Sequence, residues 1–194
     1  MTTRPASLRI VHYPDPALRQ KARPIAAVTE EVRAVAARMI DLMREAEGIG
    51  LAAPQVGLAW RMFVVEIPPT SSDSPSPGPI RTPIAAELPA THTDGPRVYI
   101  NPRFSHPLGS PEPYEEGCLS LPDIRGDVLR PPSITITALD LDGREFTQTG
   151  AGLLARCWQH EMDHLDGVLI IDRMTQMSRI KNRAAVRDLE KAAR

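Results

Sequence analysis

The sequence has little cysteine, little net charge and no long apolar run, and each shortage excludes a class of protein. Its 194 residues include two cysteines, which are too few for a disulfide scaffold and favour a reducing compartment. The formal net charge of -1 gives no overall reason to expect nucleic-acid binding, which needs concentrated Lys and Arg. No stretch approaches the roughly 18 apolar residues of a membrane span, and the first residues lack a signal-peptide core. We therefore expect a cytoplasmic protein that contacts no membrane and binds no DNA directly.

Length and composition predict one globular domain covering residues 1–194. Hydrophobic residues make up 42% and charged residues 24%, as in ordinary soluble domains. Residues 68–96 hold eight of the 20 prolines, and such a segment can neither run as a helix nor pair as a central strand. We interpret 68–96 as a long surface insertion between two strands.

Three segments have helical patterns. Apolar residues at intervals of three and four predict a helix over 29–47, with Gly48 just past its end. A second pattern covers 153–165 and stops at Gly167. Residues 173–194 contain seven basic and two acidic residues, a local charge of +5, and predict a weakly amphipathic basic helix. Such a charged tail can dock on an anionic partner, although a merely solvated helix is the commoner outcome.

Short β-branched segments predict the strands. Residues 61–67 and 97–100 are bounded by proline, and 133–149 reads as a hairpin around Asp142-Gly143. With the helices, these segments predict an α+β fold. We expect antiparallel or mixed β-sheets packed around a central metal-binding helix, with an N-terminal helix and a C-terminal helix.

The clearest chemical motif is H-E-x-x-H at residues 160–164. On a helix, His160 and His164 project from one face, so their imidazoles can share one metal ion. Glu161 is offset around the helix, where a carboxylate can act as general base without being a ligand. An accidental match on a polar helix face is the alternative, and shuffling this composition would give one in roughly a hundred sequences.

A catalytic metal site usually takes three protein ligands and leaves one position for water. Cys118, in EEGCLSLP, is the preferred third ligand, because thiolate suits Zn(II) or Fe(II) and Gly117 allows close approach. Cys157 lies on the same helix as the two histidines, so we interpret it as a buried thiol lining the pocket, with Leu153 beside it. The remaining histidines have no supporting motif and are expected to be exposed: His12, His92 and His106.

A third motif, GIGLAAPQ, covers residues 48–55. Its small residues leave the backbone uncovered, so an extended peptide could pair with it, and Gln55 could supply an amide donor. A helix C-cap followed by a tight turn would explain Gly48 and could extend to Gly50, but it would not explain the rest.

Together, GIGLAAPQ, EGCLSLP and QHEMDHLDG resemble the three signature motifs of peptide deformylases. The flanking segments HYPDPALRQKARP and SITITALDLDGREF are also similar to that family. The resemblance covers nearly the whole chain, apart from the proline-rich insertion and the basic tail. It implies a hydrolase that removes the N-formyl group from the N-terminal methionine of nascent polypeptides and releases formate.

The resemblance also implies a role for each matching residue. One divalent ion, Fe(II) natively with Zn(II), Ni(II) or Co(II) possible, would be bound by Cys118, His160 and His164. Glu161 would be the general acid and base, and Gln55 and the backbone N–H of Leu119 would stabilise the oxyanion. The substrate peptide would be held by Ile49, Gly50, Gly117 and Arg125.

Two other functions share part of this pattern. A conventional zinc endopeptidase also carries H-E-x-x-H, but the thiolate ligand and the two upstream motifs favour deformylation. A non-catalytic zinc module that binds the ribosome through the basic tail would need a fourth protein ligand, and the sequence offers none of comparable quality. Docking of the tail on the ribosome is also compatible with the enzyme, because deformylases act on nascent chains.

Overall fold

The structure is a computed structural model that describes residues 4–69 and 89–193. Along the chain, its α-helices are α1 (Glu30–Glu45), α2 (Gly152–Leu165), α3 (Ile170–Arg173) and α4 (Gln176–Ala192), and short 3-10 helices cover Pro5–Ser7, Pro16–Arg19 and Ala53–Val56. The strands are β1 (Gly50–Ala52), β2 (Met62–Val65), β3 (Arg97–Leu108), β4 (Glu112–Cys118), β5 (Leu121–Arg130), β6 (Ser133–Leu139) and β7 (Glu145–Ala151). Most of the predicted insertion, residues 70–88, lies outside the described residues. No helix among those described is long and apolar enough to cross a membrane.

The strands form two antiparallel sheets. The larger has the order β1-β2-β3-β6-β7, which places β1 at one edge, and β4 pairs with β5 in the smaller. The predicted α+β fold with antiparallel sheets is therefore confirmed.

The larger sheet lies between α1 and α2. Met62 and Val64 of β2 pack in the cluster with α1, whereas Phe63 and Val65 pack in the cluster with α2. All four are fully buried, because successive side chains of a strand point to opposite faces and both faces are covered. This explains the unbroken apolar run of β2 and confirms the predicted central position of α2.

Helix α1 ends at Glu45, two residues before the predicted end at Glu47. Glu47, not Gly48, adopts the left-handed conformation (φ 55°), and Gly48 N–H donates to Met43 O at 2.8 Å. Glu47 N–H donates to Arg44 O, which completes a Schellman cap. Gly48 serves packing instead, since a β-carbon there would lie 2.7 Å from Cδ1 of Leu119.

Strand β3 is longer than the predicted 97–100 because bulges carry it past two prolines. Its pairing with β6 shifts register after Ile100 and again after Ser105. Asn101 and His106 sit next to Pro102 and Pro107 with φ of 51° each. A bulge leaves a residue outside the ladder, so a proline there costs no sheet hydrogen bond. His106 is exposed, as expected.

The predicted hairpin forms from β6 and β7, but its turn is not the two-residue turn that Asp142-Gly143 suggests. Asp140 N–H donates to Arg144 O and Gly143 N–H donates to Asp140 O, so the loop has three residues. Gly143 takes φ 77° as its last residue. The Asp140 carboxylate accepts from the N–H groups of Asp142 and Arg144, which favours the longer turn.

The smaller sheet was not predicted from the sequence. Its strand β5 buries alternate residues, namely Ile124, Gly126, Val128 and Arg130. Glycine and arginine at inward positions hide the apolar alternation that would have revealed a strand.

The predicted basic helix 173–194 begins later than expected. Arg173 belongs to the short helix α3, and Thr175 caps α4 by accepting a hydrogen bond from Ser178 N–H. Helix α4 packs on β5, where the Asn182 side chain donates to Arg125 O at 2.8 Å. The C-terminal helix is thus anchored to the sheet that carries one wall of the site.

Candidate active site

Cys118, His160 and His164 meet at one point of the structure. Cys118 ends β4, and the two histidines project from α2, with their ring centroids 5.0 Å apart. The ligand atoms of the three residues all lie within 4.8 Å of one another, and Cys118 Sγ is 3.2 Å from Nε2 of His164. Within residues 4–69 and 89–193 this is the one group of His, Cys, Asp or Glu side chains arranged to hold a metal ion. Cys157 and the other three histidines are not part of it.

His160 has a buried carboxylate behind it. Its Nδ1 lies 3.1 Å from Oε2 of Glu116. Burial alone would raise the pKa of Glu116, but hydrogen bonds from His160 and Arg130 lower it to about 2. Burial would also lower the pKa of His160, yet hydrogen bonds with Cys118 and Glu116 raise it above its ordinary value. His164 has no such carboxylate among the described residues, and burial lowers its pKa.

Glu116 belongs to a buried ion-pair network. Arg130 contacts both oxygens of Glu116, at 2.7 and 3.0 Å, and reaches Asp163 on α2 at 2.8 Å. Arg156 adds a contact to Glu116 at 2.9 Å, and Arg173 pairs with Asp163 at 2.7 Å. Each buried charge has an opposite partner, which buried charges require. The network therefore fixes α2 relative to the smaller sheet.

Glu161 faces the cleft in front of the three candidate ligands. The side chain is buried, and burial raises its pKa to about 7. Its Oε2 has no hydrogen-bond partner among the described residues. Gly50 makes room for it, since a β-carbon there would collide with Oε1 of Glu161 and lie 2.8 Å from Sγ of Cys157. An unpartnered buried carboxylate in a cleft is available for chemistry.

Gln55 is held with its amide nitrogen towards the thiol. Its Oε1 accepts from Ala52 N–H at 2.8 Å, and its Nε2 donates to Ser120 Oγ at 3.2 Å and to Cys118 Sγ at 3.6 Å. Leu119 follows Cys118 directly and lines the same cleft. Both residues predicted to donate hydrogen bonds thus lie beside the candidate metal ligands.

One open cleft of about 370 Å³ brings the predicted residues together. The edge strand β1, the ends of β4 and β5, and α2 form its walls. His164 is buried and does not line the cleft. The other predicted site residues all do: Ile49, Gly50, Gln55, Gly117, Cys118, Leu119, Arg125, Leu153, Cys157, His160 and Glu161.

Sequence reasoning missed the residues that support the ligands. Two of them, Arg130 and Arg156, belong to none of the motifs found in the sequence. Glu116 lies in EEGCLSLP, but it was assigned no role there. A signal was available, because a histidine ligand usually donates its other ring N–H to a carboxylate or carbonyl, and Glu116 lies two residues before Cys118. Arg130 could not be found this way, since its strand was not predicted.

Comparison with known proteins places this chain in a family. A family model described as polypeptide deformylase matches residues 7–180. The chain belongs to the polypeptide deformylase family. Its relatives include peptide deformylases from Thermomicrobium roseum, 44% identical over 89% of this chain and 88% of the relative, and from Psychrobacter cryohalolentis, 39% identical over 96% and 89%.

Solved structures of peptide deformylases share the fold. A plant peptide deformylase has a TM-score of 0.80 at 37% identity, covering 96% of this chain and 91% of that one. The enzyme of Ehrlichia chaffeensis has a TM-score of 0.81 at 30% identity, covering 96% of both chains. Peptide deformylases are metal-dependent hydrolases that remove the N-formyl group from the N-terminal methionine of nascent polypeptides, and this chain is an enzyme of that family.

Proposed function

We propose that Cys118, His160 and His164 hold one divalent metal ion and that the surrounding cleft carries out the deformylation. The donor set fits such an ion, since one sulfur and two ring nitrogens converge within 4.8 Å. The contact of His160 Nδ1 with Glu116 leaves Nε2 as the ligand atom. Bound there, the ion supplies Lewis acidity, which makes water a stronger acid and polarises a carbonyl oxygen.

Glu161 is the general acid and base. It takes a proton from the attacking water as the oxygen–carbon bond to the formyl group forms, and it returns that proton to the amine nitrogen as the carbon–nitrogen bond breaks. Formate and a free N-terminal amine result. The unpartnered Oε2 of Glu161 in the cleft supports this role.

Gln55 and Leu119 stabilise the negative charge that develops on the formyl oxygen. The Gln55 amide nitrogen is preorganised, because Ala52 N–H fixes the other end of the amide. The Leu119 N–H follows Cys118 in the chain and supplies the second donor. Both donors interact more strongly with the negative oxygen of the transition state than with the neutral formyl oxygen of the substrate. Such preferential binding of the transition state accelerates a reaction.

The edge strand β1 holds the peptide. Its residue Gly50 and the preceding Ile49 line the cleft together with Gly117 of β4. An unpaired strand edge can accept one more strand, and the absence of a β-carbon at both glycines lets a peptide backbone approach. Arg125, Leu153 and Cys157 complete the walls against which the substrate packs.

The native metal is Fe(II), with Zn(II), Ni(II) or Co(II) able to replace it. A thiolate with two imidazoles suits each of these ions, so the donor set alone does not distinguish among the four metals. Metal analysis of protein purified without oxygen is expected to find about one iron per chain. Zinc in protein purified under those conditions, with full activity, would contradict the iron assignment.

The observation that carries the proposal is the meeting of one thiol and two imidazoles beside the free carboxylate of Glu161. The test compares formyl-Met-Ala with acetyl-Met-Ala and with a blocked peptide that offers only internal bonds. Formate release from the first substrate alone is expected. Cleavage of the internal bonds without formate release would instead support an endopeptidase.

The basic helix α4 docks on the ribosome. Arg179, Arg183 and Arg187 recur every four residues on one face and are exposed, and the described part of the chain gives none of them a salt bridge. Replacing all three with Glu should abolish co-sedimentation with ribosomes at low salt. The control replaces Arg4, Arg9 and Lys21, which are exposed outside α4. Equal sedimentation of both variants would contradict the proposal.

The enzyme works in the cytoplasm, where polypeptides are synthesised, and residues 1–194 act as one catalytic domain. The ion pair of Arg130 with Asp163 supports this, because it joins β5 of the smaller sheet to α2, which packs on the larger sheet. A single cooperative unfolding transition is expected.

A further inference from the structure

A cleft of about 350 Å³ lies between α4, the short helix α3 and the N-terminal segment that holds Tyr13 and Arg19. None of its lining residues lines the catalytic cleft, so the two cavities are distinct. Its volume falls within the range of about 300–1,000 Å³ that small-molecule sites have. We call this space the arginine cleft, because arginine is its commonest lining residue.

Helix α4 supplies a row of three arginines to one wall of the cleft. Arg179, Arg183 and Arg187 follow one another at intervals of four residues, about one helical turn, and all three line the cavity. They are exposed and form no salt bridge or side-chain hydrogen bond with the part of the chain that the structure describes. Like charges four residues apart on a helix repel each other. An anion lying against the row would relieve that repulsion.

The two acidic residues of the cleft do not cancel its positive charge. Asp172 forms a salt bridge with Arg19, so these two charges neutralise each other. Glu190 accepts a hydrogen bond from the Tyr13 hydroxyl at 2.7 Å, and an uncharged hydroxyl leaves the charge of the carboxylate in place. Three positive charges of α4 therefore face one negative charge, which leaves the lining with a net charge of +2.

The floor of the arginine cleft is apolar. Ile171 and Val186 are partly buried and pack against the core cluster that contains Met174, and all three residues line the cavity. The apolar side chains are thus more deeply buried than the arginines around them. A basic rim over an apolar floor suits a ligand that has an anionic group at one end and a flat or apolar body at the other.

Asn182 supplies a hydrogen-bond acceptor to the same cavity. It is 8% exposed and lines the cleft. Its Nδ2 donates to Arg125 O at 2.8 Å and to Ser178 O at 2.9 Å, which fixes the orientation of the amide. Its Oδ1 has no hydrogen-bond partner among the described residues. Such an oxygen is suited to accept a hydrogen bond from an N–H group of a bound ligand.

We propose that the arginine cleft binds a nucleoside monophosphate. The phosphate lies against the row of arginines, the base lies over the apolar floor, and an N–H of the base donates to Oδ1 of Asn182. Guanidinium groups form paired hydrogen bonds with phosphate oxygens and also stack on flat rings, so arginine matches both parts of this ligand. The same arginines are those assigned above to ribosome docking, but the inference does not rest on that docking.

The test is isothermal titration calorimetry of the metal-loaded enzyme, without ribosomes, using guanosine 5′-monophosphate as the probe. Guanosine and ribose 5-phosphate are titrated separately, because each carries only one half of the recognition. The monophosphate should bind about 10-fold or more tightly than either fragment, since only it reaches the rim and the floor together. The absence of ribosomes keeps this result independent of the docking test.

Two variants separate the rim from the floor. Replacing Arg183 and Arg187 together with Gln should weaken binding of the monophosphate about 10-fold or more, because charged hydrogen bonds to the phosphate are lost. Val186→Ala should weaken binding of the monophosphate about 3- to 10-fold and leave ribose 5-phosphate unchanged, because apolar contact is lost only under the base. The matched control replaces Arg4 and Arg9 with Gln, since both are exposed outside the cleft. It should bind the monophosphate as the wild type does.

Three results would overturn the inference, and each leaves the catalytic assignment untouched. The first is no binding of guanosine 5′-monophosphate by the folded wild type. The second is equal affinity for the monophosphate and ribose 5-phosphate, which would mean that the floor recognises no base. The third is binding that survives replacement of Arg183 and Arg187, which would place the nucleotide elsewhere, for example at the catalytic metal ion. The melting temperature of each variant confirms that it is folded before titration.

Discussion

Nδ1 of His160 lies 3.1 Å from Oε2 of Glu116, and the carboxylate is in turn held by Arg130 and Arg156. An ionised carboxylate can only accept a hydrogen bond, so Nδ1 carries the proton and Nε2 is left free towards Cys118 and His164. This single contact sets both the tautomer and the orientation of the ring. The buried network of the smaller sheet thereby prepares α2 to bind a metal ion.

Replacing Glu116 with Gln should weaken metal binding by about 10- to 100-fold, the usual effect of losing such a supporting group. The amide keeps the shape of the side chain but loses its charge, so His160 is less firmly oriented. Competition against a chelator measures the affinity. Glu115→Gln is the control, because Glu115 is exposed and forms no salt bridge among the described residues. Identical affinities of the two variants would refute the positioning role.

Replacing Glu161 with Gln should reduce kcat by about 10²- to 10⁴-fold, the range for loss of a general acid and base. The metal content should not change, because Glu161 is not a ligand in this account. Formate release and metal analysis on the same sample test both points. Asp41→Asn, an exposed change on α1, should leave both unaltered. Turnover that persists in the Gln variant would exclude the assigned role.

Gly50→Ala should destabilise the fold by about 1–3 kcal/mol, because the new methyl group overlaps Glu161 and Cys157. Urea unfolding measures the loss. Adding Cys157→Ala should recover part of it by removing one of the two clashes. At Gly117 the nearest atoms to an added β-carbon are 3.5 Å away, on Arg125, so Gly117→Ala should cost little. Equal losses at both glycines would count against this explanation.

Stability should fall in alkali partly through Tyr13. Its hydroxyl donates to Oε1 of Glu190 on α4 at 2.7 Å, and that hydrogen bond, followed by burial, raises the pKa of Tyr13 above 10.0. The folded state thus holds the proton more tightly than the unfolded state, so the contribution is complete below pH 10.0 and disappears as pH rises through the higher folded pKa. Thermal unfolding of the wild type and Tyr13→Phe between pH 8 and 11 isolates the effect from other tyrosines. The difference in Tm between the wild type and Tyr13→Phe should disappear at the alkaline end of this range. A difference that stays constant with pH would contradict this role of Tyr13.

Much of the larger sheet and its helices could be predicted from the sequence. The pattern of α1, the apolar run of β2 and the H-E-x-x-H of α2 are local signals, and packing on both faces of the sheet reinforces them. The cleft residues could also be named, because three short motifs carry most of them.

The smaller sheet could not be predicted, for a physical reason. Arg130 and Gly126 occupy inward positions of β5, where Arg130 pairs with Glu116 and Gly126 leaves room for Ser178 and Met174. These contacts join residues far apart in the chain, so no local periodicity of apolar residues indicates the strand. The support of His160 depends on that sheet, which is why it could be found only in the structure.

The central claim is that one thiol and two imidazoles hold the ion on which deformylation depends. The most direct test measures metal content and formate release together for the wild type and for Cys118→Ala. The account predicts about one metal ion per wild-type chain, with loss of both metal and formate release in the variant. A Cys118→Ala enzyme that still binds one ion and releases formate at the wild-type rate would contradict it.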